Sequence, residues 1–258
     1  MPDTEVDDEP DGVVLEVQRD RTPRLLPTSD AAAAYRLVYG RVDALLRGRA
    51  EIAEFAVPAC PAWTVRQTVA HLAGVAHDII SLNLEAVGTD SWTQAQVDRL
   101  GGNNIDELLD LWGQTIDPVT ARLGLGPKGS ECQLVFDALT HEHDIRGALC
   151  KPYSRTGDLP FEVTMGFLTT TGDQIIRQTG LPALRLITPT IGSVQLGDPH
   201  TAQGHVTLSV SDFEALRAFG GRRSVRQLLA LPWQGDPTNL LPVFSNNAIR
   251  PPNDDLVE

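Results

Sequence analysis

Asp137-Ala138-Leu139-Thr140-His141-Glu142-His143-Asp144 is the stretch on which the fold turns. As a helix, it places Asp137 and His141 one turn apart on one face. A carboxylate and an imidazole so placed can address one metal ion, and two ligands on one rod require a third from elsewhere. Around them Leu134, Val135, Ala138, Leu139, Ile145 and Leu149 recur at helical spacing. The helix is therefore expected from about Ser130 to Leu149, stopped by Lys151-Pro152.

The natural third ligand is His71. It lies beside an apolar stripe of Val65, Val69, Leu72, Val75, Ala76, Ile79 and Leu82, in a helix opened by Thr64 with Gln67 as capping-box partner and running to about Ala86. Two further helices complete a bundle. One starts at Thr28-Ser29-Asp30 and carries Ala33, Tyr35, Leu37, Val38, Val42, Leu45 and Leu46 before Gly48-Arg49. The other follows a polar connection holding Trp92, resumes near Gln94 and again from Ile105, and closes at Gly124, Gly126 and Pro127. Four principal helices in this span predict an antiparallel-type bundle over residues 28–155.

The second half changes character. A helix from Phe161 to Gln178 precedes β-rich runs at 184–188, 193–196 and 205–210, separated by Gly and Pro turns. Ser211 or Asp212 caps a short helix, and another follows Gly220-Gly221-Arg222-Arg223-Ser224. Residues 156–235 thus read as a small α/β unit and 236–258 as an irregular tail. Residues 1–27 read as a flexible acidic arm whose apolar run at 12–17 adds a strand or packs on a surface. The fold class expected is α+β.

Two imidazoles and a carboxylate leave a coordination position for water or a substrate atom, as in catalytic zinc sites, although nickel, iron or manganese suit the same donors. Asp144 is placed either to orient His141 as an acceptor or to act as a ligand itself. Glu142 and His143 face other directions, with His143 a competing ligand. His77 faces roughly opposite to His71 and is expected to be exposed, while His200 and His205 read as structural. Cys60, Cys132 and Cys150 fit no zinc-knuckle or disulfide framework and read as small apolar fillers in a reducing compartment.

The 258 residues are 41% hydrophobic, as expected of a globular core, and carry a net charge of -13 concentrated at the termini. Acidity without a basic stripe argues against nucleic acid as a partner. With no signal-peptide pattern and no apolar run of membrane-spanning length, the expected location is the cytoplasm and no membrane partner is expected.

Two segments carry a family resemblance. Pro61-Ala62-Trp63-Thr64-Val65-Arg66-Gln67-Thr68-Val69-Ala70-His71-Leu72-Ala73-Gly74 resembles the Trp-x-Val…His-Leu signature of the mycothiol-dependent maleylpyruvate isomerase family. Asp137 through Leu149 is similar to that family's acidic-x-x-x-His-x-x-Asp helix ending in Arg-x-Ala-Leu, and Gly220-Gly221-Arg222-Arg223-Ser224 resembles its C-terminal Gly-Arg-Arg-Ser turn. The resemblance spans about residues 28 to 235. It implies a DinB-like four-helix bundle followed by a small α/β (SCP2-like) domain, with His71, Asp137 and His141 as zinc ligands. The acidic ligand, often Glu in the founding isomerase, is Asp here. Arg222 or Arg223 is implied as the catalytic arginine, suited to clamping a substrate carboxylate.

The resemblance further implies mycothiol, or a related small thiol, as cosubstrate, activated as a metal-bound thiolate. Three readings follow. The first is S-transfer or thiol exchange onto an electrophilic small molecule, which needs only the metal and a thiol site. The second is thiol-dependent cis–trans isomerisation of maleylpyruvate-like diacids. The third is a non-enzymatic metal-binding bundle.

Overall fold

The computed structural model describes residues 20–153, 155, 157–201, 203–245 and 249–258; the apolar run at 12–17 lies outside them. The chain is α+β. Helices α1 (Thr28–Leu46), α2 (Val65–Ser81), α3 (Asp90–Leu100), α4 (Ile105–Thr120) and α5 (Ser130–Ala148) come first. Helix α6 (Leu159–Thr179) leads into strands β1 (Ala183–Thr188), β2 (Gly192–Leu196) and β3 (His205–Ser209). Helices α7 (Asp212–Phe219) and α8 (Val225–Leu229), the short strand β4 (Trp233–Gln234) and a 3-10 helix at Thr238–Phe244 complete the order.

The bundle is held by most of the predicted apolar faces, but Ala33 and Leu37 of α1 and Leu82 beyond α2 are exposed, and Ala31 and Ala34 take their place on α1. Trp112 of α4 is fully buried, donates its indole N–H to the Tyr35 hydroxyl at 2.8 Å and meets Tyr39 edge-on. A buried indole N–H needs such an acceptor, because an unpaired one costs about 1–3 kcal/mol. At the start of α2, Thr64 and Gln67 form the expected reciprocal box: Gln67 N–H donates to Thr64 Oγ1 and Thr64 N–H to Gln67 Oε1. Just before it, residues 57–63 fold back on themselves, with Val57 N–H bonded to the Trp63 carbonyl and Trp63 N–H to the Cys60 carbonyl. The box therefore fixes both the helix bearing His71 and the loop bearing Cys60 and Trp63.

Several elements depart from expectation. Helix α2 stops at Ser81, short of Ala86, because Asn83 turns back to bond Asp78 through both its backbone N–H and its side chain. Trp92 lies inside α3, opened by a Thr89 cap, not in a polar connection. The arm, expected to be flexible to residue 27, is docked from Asp20 onward. Arg21 exchanges backbone hydrogen bonds with Ser193 and Gln195 at the edge of β2, and Leu25 and Leu26 pack on the core. The tail expected to be irregular contains the 238–244 helix, whose Leu240, Val243 and Phe244 are buried.

The sheet order is β2-β1-β3-β4, with β1 antiparallel to β2 and parallel to β3, and β4 antiparallel to β3. Helix α6 bridges the two parts, packing on α1 and α5 and also on β2 and α7. Beneath β1, the buried Asp212 carboxylate accepts from the Thr188 and Thr190 hydroxyls and the Thr190 N–H, anchoring the start of α7. That anchor directs the end of α7 and the Gly220-Gly221 turn at α5. Gly221 has a φ of +68°, and a Cβ there would lie 2.7 Å from Ile249, so only glycine fits.

Replacing Thr64 by Ala removes one half of the box and is expected to cost about 1 kcal/mol in a denaturant melt. An unchanged midpoint would show that the loop and α2 do not depend on this cap.

Candidate metal centre

The structure brings His71 of α2 together with Asp137 and His141 of α5. His71 Nε2 lies 3.5 Å from Asp137 Oδ2, His141 Nε2 lies 3.7 Å from Asp137 Oδ1, and one ligand atom from each residue falls within 4.8 Å of the others. Tetrahedral zinc with bonds of about 2.0–2.1 Å separates its ligand atoms by roughly 3.3 Å, so these spacings suit a divalent cation. Asp137 Oδ2 is buried and has no hydrogen-bond partner among the described residues. An ionised oxygen left so is costly unless a cation faces it. Burial opposes charge on Asp137, but the neighbouring His71, His141 and Arg222 groups, when positively charged, outweigh it and hold the carboxyl below its usual range.

Each imidazole is aimed by its other nitrogen. His141 Nδ1 lies 3.0 Å from Asp144 Oδ2, and His71 Nδ1 lies 2.8 Å from Gln96 Oε1. Acceptors on Nδ1 favour the Nδ1–H tautomer and leave the Nε2 lone pairs for a metal. Burial lowers the His141 pKa, which favours the neutral ring that a ligand must present.

Asp144 thus sits behind His141. Burial would raise its carboxyl, but the guanidiniums of Arg222 and Arg217, together with His141, hold it well below the usual range. Arg222 donates to Asp144 Oδ2 at 2.8 Å and, more weakly, to Cys60 Sγ at 3.5 Å. Arg217, fully buried on α7, reaches Asp144 Oδ1 at 2.7 Å. Cys60, His141 and Asp144 form a second cluster of possible ligand atoms. Two guanidiniums already neutralise that carboxylate, so an added cation there would be repelled.

The other predicted residues are placed as follows. Arg223 points away from the imidazoles, to Glu214 and Glu258. Glu142 is buried between Arg41 and Arg146. His143 packs between the rings of Phe161 and Phe213, and burial pushes its pKa down to about 3. His77, His200 and His205 are exposed. Of the cysteines, only Cys132 is a buried filler; Cys150 is exposed, and Cys60 is half-buried against Asp144, its thiol pKa raised to about 12 by burial and then by Asp144. Trp63 covers the site, its ring 5.1 Å from His71 and 5.9 Å from His141.

Sequence reasoning missed Gln96 and Cys60 as neighbours of the site. Gln96 stands in a polar helix with no motif, and its one signal is Gly74 opposite it, where a Cβ would lie 2.6 Å from Gln96 Cβ.

Comparison with known proteins follows the same line. A family profile described as the mycothiol maleylpyruvate isomerase N-terminal domain matches residues 16–146, just over half of the chain. Two solved structures resemble it: the crystal structure of the mycothiol-dependent maleylpyruvate isomerase (18% identity, TM-score 0.52) and that of a histidine-to-alanine mutant (17% identity, TM-score 0.51). Each likeness covers 76% of this chain and 90% of the other, and at such identity it speaks for the fold. No curated protein matches in sequence. Among the described residues no helix is long and apolar enough to cross a membrane. The extent of the profile match places the chain in the mycothiol maleylpyruvate isomerase family.

Proposed function

We propose that this chain is a metal- and thiol-dependent isomerase that uses mycothiol, or a closely related thiol, to interconvert cis and trans forms of a small maleylpyruvate-like diacid. The observation that carries the reading is the convergence of two imidazole Nε2 atoms on Asp137, whose Oδ2 is buried and otherwise unpartnered. His71, Asp137 and His141 would hold the metal, with zinc the cation best suited to two nitrogens and one oxygen. When bound, such a cation stabilises a thiolate at neutral pH.

The protein's own groups supply the rest. Asp144 keeps the His141 ring oriented, and Arg222, across the junction of the two parts, holds Asp144 in its ionised form. The positive charge of Arg222 also acts on Asp137, so it bears on the space where an anionic substrate or a thiolate would sit. Trp63 offers an apolar wall beside both rings. Cys60 is a poor nucleophile in this setting, because burial and Asp144 hold it as a thiol. The sulfur nucleophile is therefore assigned to the small thiol.

Isomerisation is favoured over net S-transfer by membership of a family named for an isomerase. In an assay with mycothiol and maleylpyruvate the thiol is expected to act as a catalyst, its free concentration unchanged at full conversion. Stoichiometric loss of thiol would replace this reading with S-transfer.

Calorimetry on wild type and His141→Ala tests the site itself. Wild type is expected to bind about one zinc per chain and then the thiol, as an open three-ligand site implies, whereas His141→Ala should lose both. Full zinc retention in the variant would contradict the assignment of His141 as a ligand.

The two arginines separate by measurement. Arg222→Ala is expected to keep zinc and to lower turnover roughly 10–100-fold, the kinetic equivalent of one charge-assisted contact. Arg223→Ala loses its pairs with Glu214 and Glu258 and is expected to lower the melting temperature while sparing turnover. The reverse pattern would move the catalytic assignment to Arg223.

A further inference from the structure

We infer that Gln96 is a positioning residue for the metal centre: oriented by Asp78, it fixes the tautomer and aim of the His71 ring. The inference rests on the metal reading above and extends it to residues that lie on neither signature segment.

Gln96 is fully buried on α3. Its Oε1 lies 2.8 Å from His71 Nδ1, and its Nε2 donates to Asp78 Oδ2 at 2.9 Å. Asp78, 1% exposed, also accepts from Arg99 Nη2 at 2.8 Å and from Asn83 Nδ2 at 3.1 Å. An ionised carboxylate only accepts, so the amide group of Gln96 that faces it must be the NH2. The carbonyl oxygen is then forced toward His71, whose Nδ1 must carry the hydrogen. In the neutral ring Nε2 then keeps its lone pair, and it is the Nε2 atom that faces Asp137. The hydrogen bonds run in one direction, from His71 to Gln96 to Asp78, with Arg99 closing the far end.

The two ligand rings are therefore held differently. A carboxylate backs His141, and a neutral amide, polarised by a carboxylate one step further out, backs His71. The arrangement depends on close approach of α2 and α3. Gly74, one turn beyond His71, leaves room for Gln96, and a Cβ there would lie 2.6 Å from Gln96 Cβ and 2.9 Å from its Cγ. Asp78 stands where α2 ends, and the Asn83 contacts that end α2 also secure it.

The test combines zinc affinity, by competition with a chromophoric chelator, with the His71 tautomer, read from ring nitrogen shifts by NMR on zinc-free protein. Wild type is expected to show the Nδ1–H tautomer. Gln96→Leu, of similar size but without an acceptor, should show mixed tautomers and bind zinc roughly 10–100-fold more weakly. Asp78→Asn alone should also weaken binding, because the amide is no longer forced. The double variant Gln96→Glu with Asp78→Asn exchanges acceptor and donor at unchanged net charge, and should recover most of the affinity. Circular dichroism confirms folding of each variant. An Nε2–H tautomer in wild type, wild-type affinity in folded Gln96→Leu, or a double variant no better than Gln96→Leu would each overturn the relay. Wild-type protein with the Nδ1–H tautomer but no zinc affinity would instead overturn the metal reading.

Discussion

A carboxylate oxygen buried without a hydrogen-bond donor is costly, and at Asp137 that oxygen, Oδ2, lies 3.5 Å from His71 Nε2 while His141 Nε2 lies 3.7 Å from its other oxygen. A cation at that point would satisfy all three groups at once. Much of the surrounding structure reads as the support such a cation requires. His71 and His141 come from different helices, each ring is held through its far nitrogen, and the bundle core fixes the distance between the rods.

The C-terminal part takes part in that support. Arg217 and Arg222 leave the sheet unit, enter the bundle and neutralise Asp144 from two sides. Arg217 is fully buried and also pairs with Glu258, so a chain of charges runs from the tail through α7 to the residue behind His141. Breaking one member of such a buried pair strands the other, so these contacts tie the two parts to each other. The Asp212 anchor under β1 and the glycine turn at 220–221 deliver the two arginines.

Local chemistry made much of this legible in the sequence. The helical spacing of Asp137 and His141, the Thr64–Gln67 box and the apolar stripes are short-range signals, and each found its counterpart in the structure. What stayed hidden depends on tertiary approach. Gln96 and Asp78 lie 18 residues apart and meet only because Gly74 lets two helices close. Cys60, grouped with its fellow cysteines as filler, takes its character from Asp144, 84 residues away. The apolar stripe reaching Leu82 suggested a helix to about Ala86, but the competing Asn83–Asp78 contacts ended it at Ser81. The tail looked irregular because its ordering is tertiary: Leu240, Val243 and Phe244 bury in a short 3-10 helix and Glu258 pairs with Arg217, contacts that no periodicity announces.

X-ray absorption at the zinc edge tests the central claim most directly. Zinc-loaded protein is expected to show two imidazole nitrogens with light oxygen donors and no sulfur, and addition of mycothiol is expected to introduce one sulfur at about 2.3 Å. A spectrum with protein sulfur before the thiol is added, or without imidazole scattering, would contradict the account.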